Sequence, residues 1–221
     1  KARNKSNILY KKDKNPELKI VNFKIDLILA FCFLQLNDFQ TSSNILQNID
    51  KVKLSNIAKN IELFSFVEPQ EWSEWVPVYH TIMAENHLRN KEYRGALSHR
   101  KWILDSKSWH IQKYYKMESH SYLAHYYATT NDFSKSRRHI ASCLSIYNEI
   151  YKEGDFEFNS KVNFFFHLIM SHKILGDDEG FKKYLEIILA DIDKMFIRLN
   201  SNHKKMFLDR YPINKIMELK L

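Results

Sequence analysis

Glycine and proline are scarce, with four of each in 221 residues. Sandwiches, barrels and dinucleotide-binding folds use those residues at frequent tight turns, so the scarcity argues against all three. Only two cysteines occur, Cys32 and Cys143, with neither a CxxC motif nor the Cys/His spacing of a metal-ligand set. Both lie in apolar helical surroundings and read as buried free thiols of a reducing compartment. Long hydrophobic runs are missing as well. The most apolar stretch, 20–36, is interrupted by Lys24 and Asp26 and is shorter than the roughly 20 residues needed to cross a bilayer. The N-terminus lacks the apolar core and small-residue cleavage site of a secretory leader, and it opens without Met. Both features fit a segment of a larger cytoplasmic protein.

What is present is core material: 44% hydrophobic and 14% aromatic residues, too much for a disordered chain. The formal net charge is +8, but it is unevenly spread. Within residues 1–20, seven basic side chains stand against Asp13 and Glu17 for a net +5, which leaves +3 for the rest. A basic leader on a nearly balanced body reads as a solvated linker over 1–16 rather than a phosphate-binding face.

A unit recurs along the body. An apolar helix ends in a polar turn carrying an acid; an aromatic follows, then a small residue three positions on. The copies are Asn37-Asp38-Phe39 with Ser42, Lys91-Glu92-Tyr93 with Ala96, and Asn131-Asp132-Phe133 with Ser136. A looser fourth copy runs Gly176-Asp177-Asp178, with Gly180 and Phe181, and Phe181 is taken as its aromatic. Nine positions before each clear aromatic stands a small residue, Ala30, Ala84 or Ala124; six before it stand Phe33, His87 and Tyr127. Two antiparallel helices joined by a tight turn must approach closely, so one small residue on each marks the contact. The turn acid caps the second helix and the aromatic seats the turn on the next hairpin. Helices are predicted at about 17–37, 40–52, 55–66, 73–90, 92–106, 109–130, 133–153, 157–175, 178–198, 201–209 and 213–220. Residues 65–75 read as a loop, and Pro77 is tolerated in a first turn but would kink a helix deeper in.

This pattern resembles the tetratricopeptide repeat, which has small residues at its eighth and twentieth positions and an aromatic at its seventeenth. The resemblance covers about 20–195. It departs from the family in its unequal spacing of 54, 40 and 48 residues between aromatics and in His87 replacing an aromatic. It implies an all-α fold: an irregular α-solenoid of antiparallel hairpins with a right-handed superhelix over 17–198, an irregular segment at 53–76, and C-terminal capping or linker helices over 199–221. Such arrays are similar to the sensory and regulatory domains of bacterial multidomain signalling proteins. Residues 202–221 resemble the helical end-piece that precedes an output domain in them.

The resemblance also implies a concave groove lined by the second, fifth, ninth, twelfth and thirteenth residues of each unit. Those positions hold Lys24, Leu27, Phe31, Leu34 and Gln35; Val78, Thr81, Glu85, Leu88 and Arg89; Glu118, Ser121, His125, Ala128 and Thr129; and Asn163, Phe166, Met170, Lys173 and Ile174. Partner contacts are expected at Lys24, Phe31, Gln35, Thr81, Glu85, Arg89, Glu118, Ser121, His125, Asn163 and Lys173, and reversing the charges of Glu85 and Arg89 is expected to weaken binding without unfolding the chain. The groove would hold a peptide or helix of a protein partner, or another domain of the same parent chain. The chain's own termini are a competing occupant.

The chemistry-bearing motifs are missing. The sequence has no P-loop, GxGxxG, HExxH, GxSxG or EF-hand pattern. Of the ten histidines, His120 and His125 are five apart, as are His167 and His172, so each pair lies about 140° apart around a helix. His80 and His87 share a face but are separated by about 10 Å of rise, too far to bind one ion directly. A scaffold for protein–protein interaction is therefore expected, without catalysis, metal, cofactor or membrane. The alternative is a nucleic-acid-binding helical protein using the basic leader and the aromatic-rich middle, from Trp72 and Trp75 to Trp109 and Tyr127.

Overall fold

The structure, a computed structural model, describes residues 16–36, 38–51, 69–106, 113–153 and 158–220. The described residues are helical and contain no strand: α1 (Pro16–Gln35), α2 (Phe39–Lys51), α3 (Pro69–Arg89), α4 (Tyr93–Asp105), α5 (Lys113–Thr129), α6 (Phe133–Glu153), α7 (Phe158–Leu175), α8 (Asp178–Arg198), α9 (Ser201–Asp209) and α10 (Ile213–Glu218). None is long and apolar enough to cross a membrane. The helix predicted at 55–66 lies outside the described residues. The loop expected over 65–75 is corrected in part, because Pro69 onward is already helix and Pro77 sits in its ninth position, buried. Proline removes the bond its own N–H would donate and crowds the carbonyl four residues back, yet α3 is helical on both sides of Pro77.

The chain divides into two compact units, residues 1–99 and 100–221. The first buries Phe23, Leu27, Ala30 and Leu34 of α1 against Ile45, Leu46 and Ile49 of α2 and Tyr79 and Ile82 of α3. Steps of three and four along α1 place those four side chains on one stripe.

The second unit centres on α7, which packs on α5, α6, α8 and α10. Its run Phe164, Phe165, Phe166, His167, Leu168 and Ile169 is buried at every position, as a helix apolar on all sides must be. Ile140, Cys143, Tyr147 and Ile150 of α6 and Tyr184, Leu185, Ile188 and Ile192 of α8 close the core, with Ile213 and Ile216 of α10. The cysteine expectation is half corrected: Cys143 is buried, but Cys32 is exposed.

Candidate functional site

One turn is built four times. The backbone N–H groups of Asp38, Glu92, Asp132 and Asp177 donate to the carbonyls of Phe33, His87, Tyr127 and His172 at 2.8–3.0 Å. Each bond runs five residues back and closes the end of a helix. Lys91, Asn131 and Gly176, each one residue before the donor, take left-handed φ values of 62°, 61° and 69°, the conformation this helix stop requires. The same acids then open the next helix. Asp38, Asp132 and Asp177 accept from the N–H of Thr41, Lys135 and Gly180 at 3.1, 3.2 and 3.0 Å, satisfying donors that a helix start leaves free. The Gly180 hydrogen bond, then the His172 contact, hold the Asp177 carboxyl below its usual range.

This register corrects the fourth copy. Helices α2, α4, α6 and α8 begin at Phe39, Tyr93, Phe133 and Asp178, so Asp178 occupies the aromatic position. Phe181, whose N–H donates to Asp177 as those of Ser42, Ala96 and Ser136 donate to Asp38, Glu92 and Asp132, stands where the other copies have a small residue. The helix starts are then 54, 40 and 45 residues apart. Ala30, Ser42, Ala84, Ala96, Ala124 and Ser136 are all fully buried. Phe39 packs on the first core beneath the Arg89 guanidinium, 5.4 Å from its ring centre. Tyr93 and Phe133, by contrast, are 51% and 40% exposed, so they do not seal their turns.

Beside three of the turns lies a column of rings that sequence reading missed. His80 and His99 meet Nδ1 to Nδ1 at 2.7 Å across α3 and α4. His120 and His139 meet the same way at 2.8 Å across α5 and α6. Counted from the start of the second helix, the two pairs occupy identical positions, and there α7 and α8 carry Phe165 and Tyr184, with ring centres 6.0 Å apart. The next ring in each column also matches: His87 stacks on His99 at 5.4 Å, Tyr127 on His139 at 5.4 Å, and His172 tilts on Tyr184 at 5.3 Å. The column ends on the turn acid where that ring is histidine, His87 to Glu92 at 2.5 Å and His172 to Asp177 at 2.7 Å. The 19-residue spacing of His80/His99 and His120/His139 was the available signal, but it becomes a contact only once the hairpin closes.

The eleven expected contact residues divide between the units. In the first, Lys24 and Thr81 are half-buried and Phe31 is exposed, and only the backbone of Gln35 is described. Glu85 is buried, and Arg89 donates to the Leu34 carbonyl at 2.8 Å. The expectation for Glu85 and Arg89 is thereby corrected: reversing either charge would disturb the packing of the first unit itself. In the second unit Glu118 is buried in an ion pair with Arg100 at 2.8 Å. Ser121 is buried, its hydroxyl donating to the Glu118 carbonyl at 2.8 Å. His125 meets His167 of α7, Nδ1 to Nδ1, at 3.1 Å. Asn163 is half-buried and Lys173 exposed.

Burial, then the neighbouring histidine, pushes His80 and His125 down to about 3 and His120 down to about 4. His139 is lowered too, mainly by burial and then by Arg138 and Lys101. No group of three or more His, Cys, Asp or Glu among the described residues could hold a metal ion. Comparison with family models, with curated proteins and with solved structures finds no match.

Proposed function

We propose that this chain is a protein-interaction module of the tetratricopeptide kind, an irregular right-handed α-solenoid closed by α9 and α10. It would serve a cytoplasmic signalling or effector protein by holding a peptide or helix of a partner, or another domain of its parent chain. The observation that carries this reading is the four-fold recurrence of one turn, with the same helix-stop bond and an acid at the same position each time. A chain that repeats one hairpin builds a surface from first helices in succession, and such surfaces hold extended partners by a few anchors. With Glu85, Arg89, Glu118 and Ser121 engaged inside the chain, the anchors fall to Phe31, Asn163 and Lys173, which remain exposed or half-buried.

A photo-crosslinking amino acid placed at Phe31 or at Lys173 tests this, with Met206, which is 62% exposed, as the control position. The proposal predicts that in nuclease-treated lysate both groove positions capture the same protein and the control does not. Equal capture from all three positions, or capture of nucleic acid alone, would overturn it. The nucleic-acid alternative gains no support from the described residues. Its basic leader lies outside them, and Lys135 and Arg100 already stand over the rings of Tyr127 and Tyr122 at 5.2 and 5.6 Å.

A further inference from the structure

Helix α5 is held on two sides by imidazole pairs. His120 and His125, five residues apart and on different faces, reach His139 of α6 and His167 of α7 at 2.8 and 3.1 Å. In each pair the two closest atoms are Nδ1 nitrogens. A hydrogen bond between them needs one ring to carry its proton on Nδ1 and the other to present the Nδ1 lone pair. Protonating the acceptor puts N–H against N–H, which removes the bond and adds a buried charge. The surroundings offer that charge little relief. Lys116 on α5 acts on His120, and Arg138 on α6 and Lys101 on α4 act on His139. Tyr127 of α5 stacks on His139, with Lys135 of α6 over it. His125 faces Phe166 of α7, and Tyr122 of α5 lies edge-on to His167.

We propose that these two pairs form a proton-sensitive clamp: the His120–His139 and His125–His167 contacts require a neutral acceptor ring, so acidification from pH 7.5 toward 5.5 lowers the stability of the fold that holds α5 against α6 and α7, because protons bind these histidines only once the clamp has opened. The direction follows from linkage. In the folded chain His120 stays neutral down to about 4 and His125 down to about 3, whereas in the unfolded chain each takes its proton near the ordinary 6.5. Between those limits the unfolded chain binds more protons, so the stabilisation is complete above 6.5 and is lost as pH falls below it. The window of 7.5 to 5.5 lies above the ordinary carboxylate range, which separates this loss from general acid unfolding.

The test is urea unfolding of the full chain at pH 7.5 and 5.5, for wild type and for a His120→Phe/His139→Tyr variant, which copies the Phe165/Tyr184 pair the chain already uses at the same position of α7 and α8. The wild-type unfolding constant should rise at least tenfold on acidification, and the variant should lose at least a third of that rise on a logarithmic scale. A wild-type change below twofold, or a variant with the full wild-type change, would overturn the proposal. Should the variant not fold, histidine NMR of the wild-type chain decides. Ring signals that remain neutral at pH 5.5 support the clamp, and ten histidines that all titrate near 6.5 refute it.

Discussion

The hydroxyl of Ser136 on α6 donates a 2.8 Å hydrogen bond to the carbonyl of Ala124 on α5, with both residues fully buried. The two helices approach closely here because neither side chain fills the gap. Ser136→Ala should cost about 1 kcal/mol for the lost bond, and Ser136→Leu about 1–3 kcal/mol for forcing the helices apart. Chemical denaturation measures both. A leucine no costlier than alanine would show that the close approach does not govern this hairpin.

Gly95 lies against the ring of His87, where an added Cβ would come within 2.7 Å of Nδ1. Gly180 has the same relation to His172. Alanine is the better helix former by about 1 kcal/mol, so an unobstructed site would gain from the exchange. Gly95→Ala should instead lower stability, by about 1–3 kcal/mol. In a His87→Ala background the sign should reverse, and a thermal-unfolding double-mutant cycle reads the difference. Equal effects in both backgrounds would exclude the imidazole as the obstruction.

Arg100 and Glu118 are a fully buried ion pair, with the guanidinium 5.6 Å from the centre of the Tyr122 ring. Removing one partner strands the other charge away from water. Arg100→Met or Glu118→Leu alone should therefore cost about 3–5 kcal/mol, and the double replacement less than the sum of the two. Strict additivity in urea titrations would mean that the pair is not coupled.

The two thiols should behave oppositely. Cys32 is exposed, while Cys143 is buried, donates to the Ile140 carbonyl at 3.1 Å, and is pushed up to about 12 by its burial. A thiol reagent should modify one cysteine rapidly in the native chain and the second only at the rate of unfolding. Mass spectrometry locates the label. Fast native labelling of Cys143 would contradict its place in the core.

Much of the helical organisation was legible because it rests on local rules. Asp38, Glu92, Asp132 and Asp177 mark helix starts through bonds to groups within a few residues, so the second helices begin within one residue of the predicted 40, 92, 133 and 178. Phe181 was misplaced because its ring drew the register, whereas the Asp177 turn bond fixes it. The start of α3 was missed because Pro and polar residues at 69–75 imitate a loop, yet Pro69 fits a first helical position, which needs no donor. Of the candidate residues, Phe31 and Lys173 kept the exposure expected of a contact surface, whereas Glu85, Glu118 and Ser121 were drawn into the interior.

By itself the sequence determined the helical content and the positions of the turns and small-residue contacts, since periodicity and capping act over a single turn of chain. Only the tertiary structure decided which polar side chains are used up internally. Glu118 is neutralised by Arg100, 18 residues away, and His125 meets His167, 42 residues away. A charge or an imidazole is committed by what faces it after packing, and no pattern within its own helix records that partner.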